Sequence, residues 1–381
     1  MSADPTALYS RKNPFPAKLG TNRKLTAPGS AKDTRHFEVD ISGSDLAYEV
    51  GDSLGVFPTN NPALVEELLS VLGLGGDEPV VDPNGQPVTL REALSRSYVI
   101  TEMDKKLLAA IAEKDPSAAK FLPMVTPEGK ADLDAYLHGR EVIDALLEYP
   151  AAKFTAEEFV KVLRKLQPRL YSIASSPKAH PTAVHLTVAS VRYESNGRKR
   201  EGVCSTFLAD RAEASPVPVF VHSAKHFRVP EDPATSVIMV GPGTGIAPFR
   251  AFLQERKAAG ATGKNWLFFG DQKAATDFLY REELEAYQQE GILHQLAVAF
   301  SRDQAEKIYV QHRMLEQAEE LYAWLEQGAY FYVCGDASRM AKDVDSALHQ
   351  VVEKAGGKSP EEAAAYVDEL KKSKRYRKDV Y

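Results

Sequence analysis

Cysteine is scarce: the 381-residue chain has two, Cys204 and Cys334, far apart in sequence. A disulfide framework and a four-cysteine zinc site are therefore excluded. Its nine histidines form neither an HExxH nor an HxH pattern, so no dedicated metal site is expected. A surplus of positive charge is missing too. Lys and Arg total 47 against 53 Asp and Glu, a net charge of −6, which argues against nucleic acid or a membrane surface as partner. No apolar run approaches the ~20 residues of a membrane-spanning helix. The opening MSADPTALYSRKNPFP has no apolar centre of the kind a secretory signal needs, and a cytoplasmic location is expected. The rest of the composition is that of a globular protein, 44% hydrophobic and 26% charged. At ~100–200 residues per domain the length predicts two or three domains, and an enzyme is the default expectation.

Pattern divides the chain. Residues 1–30 lack periodicity and read as an extended lead-in. HFEVDI (36–41) alternates like a half-buried strand, and LAYEVGDSLGVFP (46–58) places a second short strand after a turn at Gly51-Asp52. From 61 the period becomes helical, with Leu64, Leu68, Leu69 and Leu72 on one face, and it stays mostly helical to about 150. FTAEEFVKVLRKL (154–166) predicts a further helix capped by Thr155. Strand pattern returns in RLYSIASS (169–176), AVHLTVASVRYE (183–194) and VPVFVHS (217–223), with a hairpin turn at 195–197. This first half predicts a small antiparallel barrel carrying a helical insert. After about residue 231 strands and helices alternate four times, starting from the wholly apolar SVIMV (236–240), which predicts a doubly wound parallel sheet.

Six segments could carry chemistry. VIMVGPGTGIAPFR (237–250) runs from a buried strand through Gly241, Gly243, Thr244 and Gly245 into a helix. Glycines let backbone amides approach a pyrophosphate, and the helix start aligns N–H groups toward it. It is neither GxxxxGK[ST] nor strict GxGxxG, so it implies neither an ATPase nor an ordinary Rossmann dehydrogenase. RLYS (169–172) offers an Arg fork for phosphate and a flat Tyr ring, against a plain reading as an edge-strand pair. GVCSTFLADR (202–211) opens a helix at Gly202, a second anion geometry or simple capping. SRDQAEKIYVQH (301–312) follows a strand and gathers Ser301, Arg302, Lys307, Tyr309 and Gln311, a set suited to an adenosine with an extra phosphate or to a solvated loop. Cys334 ends the strand of YVCGDASRMAKDV (332–344), where packing is the ordinary role. The chain closes on RYRKDVY, ending at Tyr381.

Taken in order, RLYSIASS, GPGTGIAPFRAF, NWLFFG, SRDQAEKIYVQ, YVCGDASRMAKDV and the final DVY resemble the ferredoxin–NADP⁺ reductase superfamily. The resemblance is closest to the FAD/NADPH-binding module of diflavin reductases of the assimilatory NADPH–sulfite reductase kind. It implies a multidomain α/β fold: an N-terminal extension (1–20), an antiparallel β-barrel FAD domain (21–230) with a helical connecting insert (about 61–155), and a doubly wound parallel-sheet NADP(H)-binding domain (231–381). It also implies FAD and NADPH as cofactors. Arg169, Leu170, Tyr171 and Ser172 match its FAD motif, with Arg169 at the pyrophosphate and Ser172 near the flavin. Thr187, Val188, Ala189 and Tyr193 match a stretch along the same cofactor, and Gly202, Val203, Cys204 and Ser205 its second pyrophosphate loop. Thr101 and His138 fall at insert positions that touch FAD in the family. Ser301, Arg302, Lys307, Tyr309 and Gln311 match the 2′-phosphate and adenine site of NADPH, and Asp343 a further contact. Ser172, Cys334 and Asp379 match the polar group at the hydride-transfer locus, and Tyr381 the aromatic covering the flavin. Family members carry a flavodoxin-like FMN domain ahead of this module, for which the first 20 residues leave no room. Either the sequence is a piece cut from a longer protein or the protein is naturally without FMN, and in the second case the acceptor is expected to be a separate redox protein, a sulfite reductase hemoprotein or a flavodoxin-type FMN protein. A stand-alone NADPH–flavodoxin or ferredoxin reductase, and a non-catalytic subunit holding FAD, are the alternatives.

Overall fold

A computed structural model describes residues 8–381. The described residues form two compact units, one of residues 8–56, 170–190 and 212–381, the other of residues 57–169 and 191–211.

The first unit holds two sheets. In the six-stranded sheet the order is Arg169–Ser172, Ser53–Val56, Val217–His222, Phe15–Lys24, Thr34–Asp40 and Ala183–Ala189. A bridge between Ile173 and Leu186 and the Ala174 amide on the His185 carbonyl, 2.8 Å, join its two ends. The sheet therefore closes on itself, which removes its edges. Phe15–Lys24 corrects the expected unpatterned lead-in, because it pairs antiparallel with Val217–His222 and with Thr34–Asp40. A register shift between Leu19 and Thr21 breaks its alternation, which is why no period-2 signal marks it. LAYEV (46–50) forms no strand, although Ser53–Val56 after the turn does.

The second sheet is wholly parallel, in the order Gln295–Phe300, Asn265–Asp271, Val237–Val240, Tyr330–Gly335 and Tyr376–Val380. Its strands alternate between two cores. Ile238, Val240, Trp266, Phe268, Phe331 and Val333 face one, while Val237, Met239, Leu267, Phe269, Tyr332 and Cys334 face the other. Both faces are dry, which explains the unbroken apolar runs. RMLEQAEELYAWLEQG is two helices, Val310–Glu316 and Ala318–Glu326, broken at Gln317. The last strand was not expected, since Arg-Lys-Asp fills its middle.

The other unit is mainly helical, around a core from Val65 to Val160 that includes Leu94, Ile111, Phe121 and Phe159. Asn61 caps Pro62–Leu72, and Gly73, at φ 70°, ends it. Thr155 and Glu158 form a capping box for Ala156–Lys161. That helix stops short of 166 because Leu166 and Val99 exchange backbone bonds with Ser97 and Arg164. The strand expected over 183–194 also breaks. Its end becomes a hairpin, Arg192–Ser195 with Arg198–Glu201, turning at Asn196 and Gly197 with φ 51° and 71°. Both central residues at positive φ define a type I′ turn. Buried Arg200 ties this hairpin to Glu141, 3.2 Å, and Asp144, 2.6 Å.

Candidate functional site

The chain lays two strands outward from Val237–Val240 in one direction, then returns to add Tyr330–Gly335 and Tyr376–Val380 on the other side. The crevice where that order reverses, at the C-terminal strand ends, is where doubly wound sheets take ligands. Two expected segments leave the sheet there, Gly241–Gly245 and Cys334–Gly335.

The three loop glycines have different reasons to be glycine. A Cβ on Gly241 would lie 2.5 Å from the Gly245 carbonyl, and one on Gly245 would lie 2.2 Å from that of Cys334. Both are needed for close packing. Gly243 has φ +57° and open space, its nearest neighbours standing 3.8 Å or more from a built Cβ. It begins a single 3₁₀ turn, Gly243–Ile246, that leads into the helix Ala247–Ala258. This is a cradle open to an anion.

Asp379 faces Cys334 across the parallel ladder. Ser172 Oγ donates to Asp379 Oδ2 at 2.7 Å, and Cys334 Sγ stands 4.0 Å from the same oxygen. The structure thus brings together all three residues expected at the reacting centre. Burial, with the Asp379 charge second, pushes the Cys334 thiol well above its ordinary value, so this cysteine is a neutral S–H and not a nucleophile. Tyr381 shares a hydrogen bond with Thr244 Oγ1, 2.8 Å. Its amide donates to the Gly335 carbonyl, and its carbonyl accepts from Ala337. The last residue is thereby fixed between the two loops of the crevice, with its side 63% exposed.

Ser301 and Arg302 are positioned by backbone bonds to the carbonyls of Asp271 and Gln272, 2.9 and 2.8 Å. Arg302 and Lys307 are exposed, and neither has an ion-pair partner among the described residues. Tyr309 caps Val310–Glu316 with its ring exposed. Gln311 Nε2 reaches Asp343 Oδ2 at 3.4 Å, which joins these two expected residues.

Other expected residues are held differently. Thr187 is buried, and its hydroxyl bonds Tyr280 at 2.7 Å, so its side chain is committed within the unit. Val188 is buried and Ala189 half-buried on the same strand. Leu170 is exposed, and Tyr171 and Ser172 half-buried. In the helical unit, Thr101, Arg169 and Val203 line one cavity of about 360 Å³. Pattern did not point to Glu102, Arg164 and Lys165, which line it as well. Glu102 bonds Arg164 at 2.6 Å and stands 3.8 Å from Arg169. Three cations against one carboxylate give a donor set suited to a pyrophosphate. Gly202 begins the helix Val203–Asp210, and Ser205 Oγ accepts from the Val191 amide and donates to the Gly202 carbonyl. Cys204 is buried. Tyr193 is exposed on the hairpin, and exposed His138 caps Lys130–Leu137 outside the cavity lining.

One cluster stood outside every sequence pattern. Ligand atoms of His36, Glu38 and His185 lie within 4.8 Å of one another. Arg250, which only donates, places NH1 3.2 Å from His185 Nδ1. That fixes the His185 proton on Nε2, the nitrogen facing Glu38, and removes its lone pair from any cation. Within the trio His36 Nε2 bonds Glu38 Oε1 at 3.2 Å while His185 Nε2 stands 4.0 Å from the same oxygen, and Tyr280 lies at His36 Nδ1, 2.9 Å.

A closed antiparallel barrel followed by a doubly wound sheet, with an anion cradle and a hydrogen-bonded polar pair beside a buried thiol at its switch point, defines a flavin- and nicotinamide-binding oxidoreductase architecture. Residues 8–207 match the FAD binding domain family, and the chain belongs to that family. Residues 239–346 match the oxidoreductase NAD-binding domain. The two matches support FAD and NADPH as cofactors. The chain is 47% identical over 375 residues to the sulfite reductase [NADPH] flavoprotein alpha-component of Bacillus subtilis (strain 168), covering 98% of this chain and 62% of that protein. It is 50% identical to the proteins of the same description from Vibrio cholerae serotype O1 (strain ATCC 39315 / El Tor Inaba N16961), covering 98% of this chain and 60% of that protein, and from Aliivibrio fischeri (strain ATCC 700601 / ES114), 99% and 62%. The chain thus spans about three-fifths of the length of these relatives. No helix among the described residues is long and apolar enough to cross a membrane.

Proposed function

We propose that the chain is an NADPH-dependent flavoprotein reductase serving as the flavoprotein component of an assimilatory sulfite reductase, with residues 21–230 as its FAD domain and 231–381 as its NADP(H) domain. The observation that carries this reading is the trio Ser172, Cys334 and Asp379 at the switch point, beside a glycine cradle and under a fixed terminal tyrosine. Bound FAD supplies the chemistry of taking two electrons as hydride and giving them up singly. The chain's own residues orient and exclude water. Arg169 and the Gly202–Ser205 helix start hold phosphate oxygens. Gly241–Gly245 cradles the NADPH pyrophosphate, and Ser301, Arg302 and Lys307 take its 2′-phosphate. Asp379 accepts from Ser172 and faces the positive charge that develops on a nicotinamide giving up hydride, while the neutral Cys334 thiol keeps that locus dry. Hydride transfer gains most from such positioning, since no strong base is needed.

The acceptor is a separate one-electron protein, a sulfite reductase hemoprotein or a flavodoxin-type FMN protein. Reconstitution tests this. Purified chain loaded with FAD, given NADPH, is expected to reduce ferricyanide, and to drive sulfite reduction by the hemoprotein either directly or once a flavodoxin is added. Release of FMN instead of FAD on denaturation, or no NADPH oxidation with any acceptor, overturns the reading.

A further inference from the structure

Ser172, Cys334 and Asp379 come from three different strands, and a single arginine is tied beside each of them. Arg228 lies in the loop between Val217–His222 and Val237–Val240. Its carbonyl accepts from the Tyr332 hydroxyl at 2.7 Å and from Arg377 NH1 at 2.9 Å. Tyr332 stands two positions before Cys334, and Arg377 two before Asp379, so each shares a side of its strand with that residue. The guanidinium of Arg228 bonds the barrel instead. NH2 is 2.5 Å from Asp52 Oδ1, Nε is 2.9 Å from Glu49 Oε2, and NH1 reaches the Val50 and Ala224 carbonyls at 3.4 and 3.2 Å. The Asp52 carbonyl accepts from the Ile173 amide at 3.0 Å, one position after Ser172.

Asp52 is itself held firmly. Its side chain is 4% exposed, and it also takes the Ala224 amide on Oδ1, 2.8 Å, and the Glu49 amide on Oδ2, 2.9 Å. The turn is closed against the Arg228 loop as well, since Gly51 has φ +98° and a Cβ there would lie 1.7 Å from the Phe227 carbonyl. A buried ion pair is weak evidence for stability, because desolvation offsets its attraction. What this arrangement does supply is registration. The strand that carries Ser172 and the two that carry Cys334 and Asp379 are joined through one side chain and one carbonyl of the same residue. The Ser172–Asp379 bond of 2.7 Å tolerates little displacement. Hydride transfer is as strict, and a misplacement of about 1 Å costs about 100-fold.

Resting on the reductase reading above, we propose that Arg228 is a positioning residue for hydride transfer, setting Ser172 against Asp379. Single-turnover reduction of the flavin by saturating NADPH is followed on the FAD-loaded chain by stopped-flow absorbance. Arg228→Met is expected to slow it about tenfold while the NADP⁺ dissociation constant stays within about twofold. Arg228→Lys keeps the charge at Asp52 without the fork and is expected to slow it about threefold. Ser172→Ala lowers the rate by itself, and in that background Arg228→Met should add less than about twofold, because the group it positions is gone. Tyr332→Phe removes one donor to the Arg228 carbonyl and keeps the ring. It should slow reduction about threefold in the unmodified chain and leave the Ser172→Ala rate unchanged, and it decides the question if Arg228→Met does not fold or loses FAD. An unchanged rate in the deciding variant, whatever its melting temperature, overturns the proposal. So does an equal loss in the Ser172→Ala background, or a loss confined to nucleotide affinity. If the unmodified chain does not reduce its flavin with NADPH, the reductase reading fails and this role with it. If it does, and the variant matches it in rate, only the role of Arg228 fails.

Discussion

The C-terminal edge of the parallel sheet has a wet end and a dry end. Around 301–311 the charges are exposed, and Arg302 and Lys307 have no ion-pair partners among the described residues. At Ser172, Cys334 and Asp379 the thiol is fully buried and the carboxylate already engaged at 2.7 Å. The contrast follows from the two tasks. A cation that captures a phosphate from solution does so best where water can leave it stepwise, and its effect is felt in affinity. A group acting on developing charge is worth more where water is excluded and its orientation is fixed beforehand. Changes at the dry end should therefore appear in the rate of the chemical step, and changes at the wet end in binding and in the choice between nucleotides.

The largest expected effect breaks the dry end. Asp379→Ala removes the partner of both Ser172 and Cys334, and single-turnover flavin reduction by NADPH should slow about 100-fold. Stopped-flow absorbance measures the rate, while FAD content and the NADP⁺ dissociation constant should stay within about twofold. A matching loss of affinity would erase the distinction between the two ends. The complementary change is Arg302→Ala, for which kcat/KM with NADPH should fall about 10- to 100-fold, as for loss of a charge-assisted hydrogen bond. The value with NADH should barely move, and an equal loss with both nucleotides would mean that Arg302 serves something other than the 2′-phosphate.

The wet end was largely legible in the sequence and the dry end only by resemblance. Strand-then-glycine-then-helix grammar located Gly241–Gly245, and position after a strand located Ser301 and Arg302, because local order sets both. Nothing local connects Ser172 with Asp379. They meet because Tyr376–Val380 adds as a fifth parallel strand, and its charged middle hid it. The ion pair of Lys32 with Asp271 was invisible for a similar reason, its partners standing 239 positions apart. Phe15–Lys24 shows the same limit in the fold, since its bulge erased the alternation that would have marked a strand. Asn196-Gly197 was readable because a type I′ turn depends on two adjacent residues alone. Short-range physics is written in neighbouring residues, whereas parallel pairing and cross-element ion pairs are settled by topology.

A third experiment asks whether dryness extends into the barrel. His36 is pushed down to about 3 by burial first, then by the charges of Arg250, Arg23 and His180. His185 is lowered too, again mainly by burial and then by Arg250. In the unfolded chain both take a proton near 6.5. The unfolded state therefore binds more protons below that pH, and stability should fall as pH drops from about 6.5 toward the folded value near 3. The upper limit is about 1.4 kcal/mol per histidine per pH unit. Melting temperature should thus decline by several degrees between pH 7 and pH 5.5, and His36→Gln should flatten that slope. Equal slopes for the two proteins would show that His36 titrates normally.

The smallest effect concerns Tyr381, which stands where the two ends meet. Its hydroxyl bonds Thr244 in the cradle, and its backbone bonds the loop after Cys334. The residue as a whole is 63% exposed, and a few polar bonds fix it in place. A stacked aromatic contributes roughly 0.5–1.5 kcal/mol beyond area burial, which a nicotinamide entering the reacting centre would have to displace. NADPH has the 2′-phosphate contacts of the wet end to offset that cost, and NADH does not. Tyr381→Ala should therefore raise kcat/KM for NADH by about three- to tenfold while moving the NADPH value less. It should also slow release of the oxidised nucleotide, because the ring that competes for its place is gone. Steady-state kinetics with both nucleotides, combined with stopped-flow product release, read both effects. If the NADPH-to-NADH preference is unchanged in Tyr381→Ala, the tyrosine does not couple the two ends, and its bond to Thr244 serves only to fix the end of the chain.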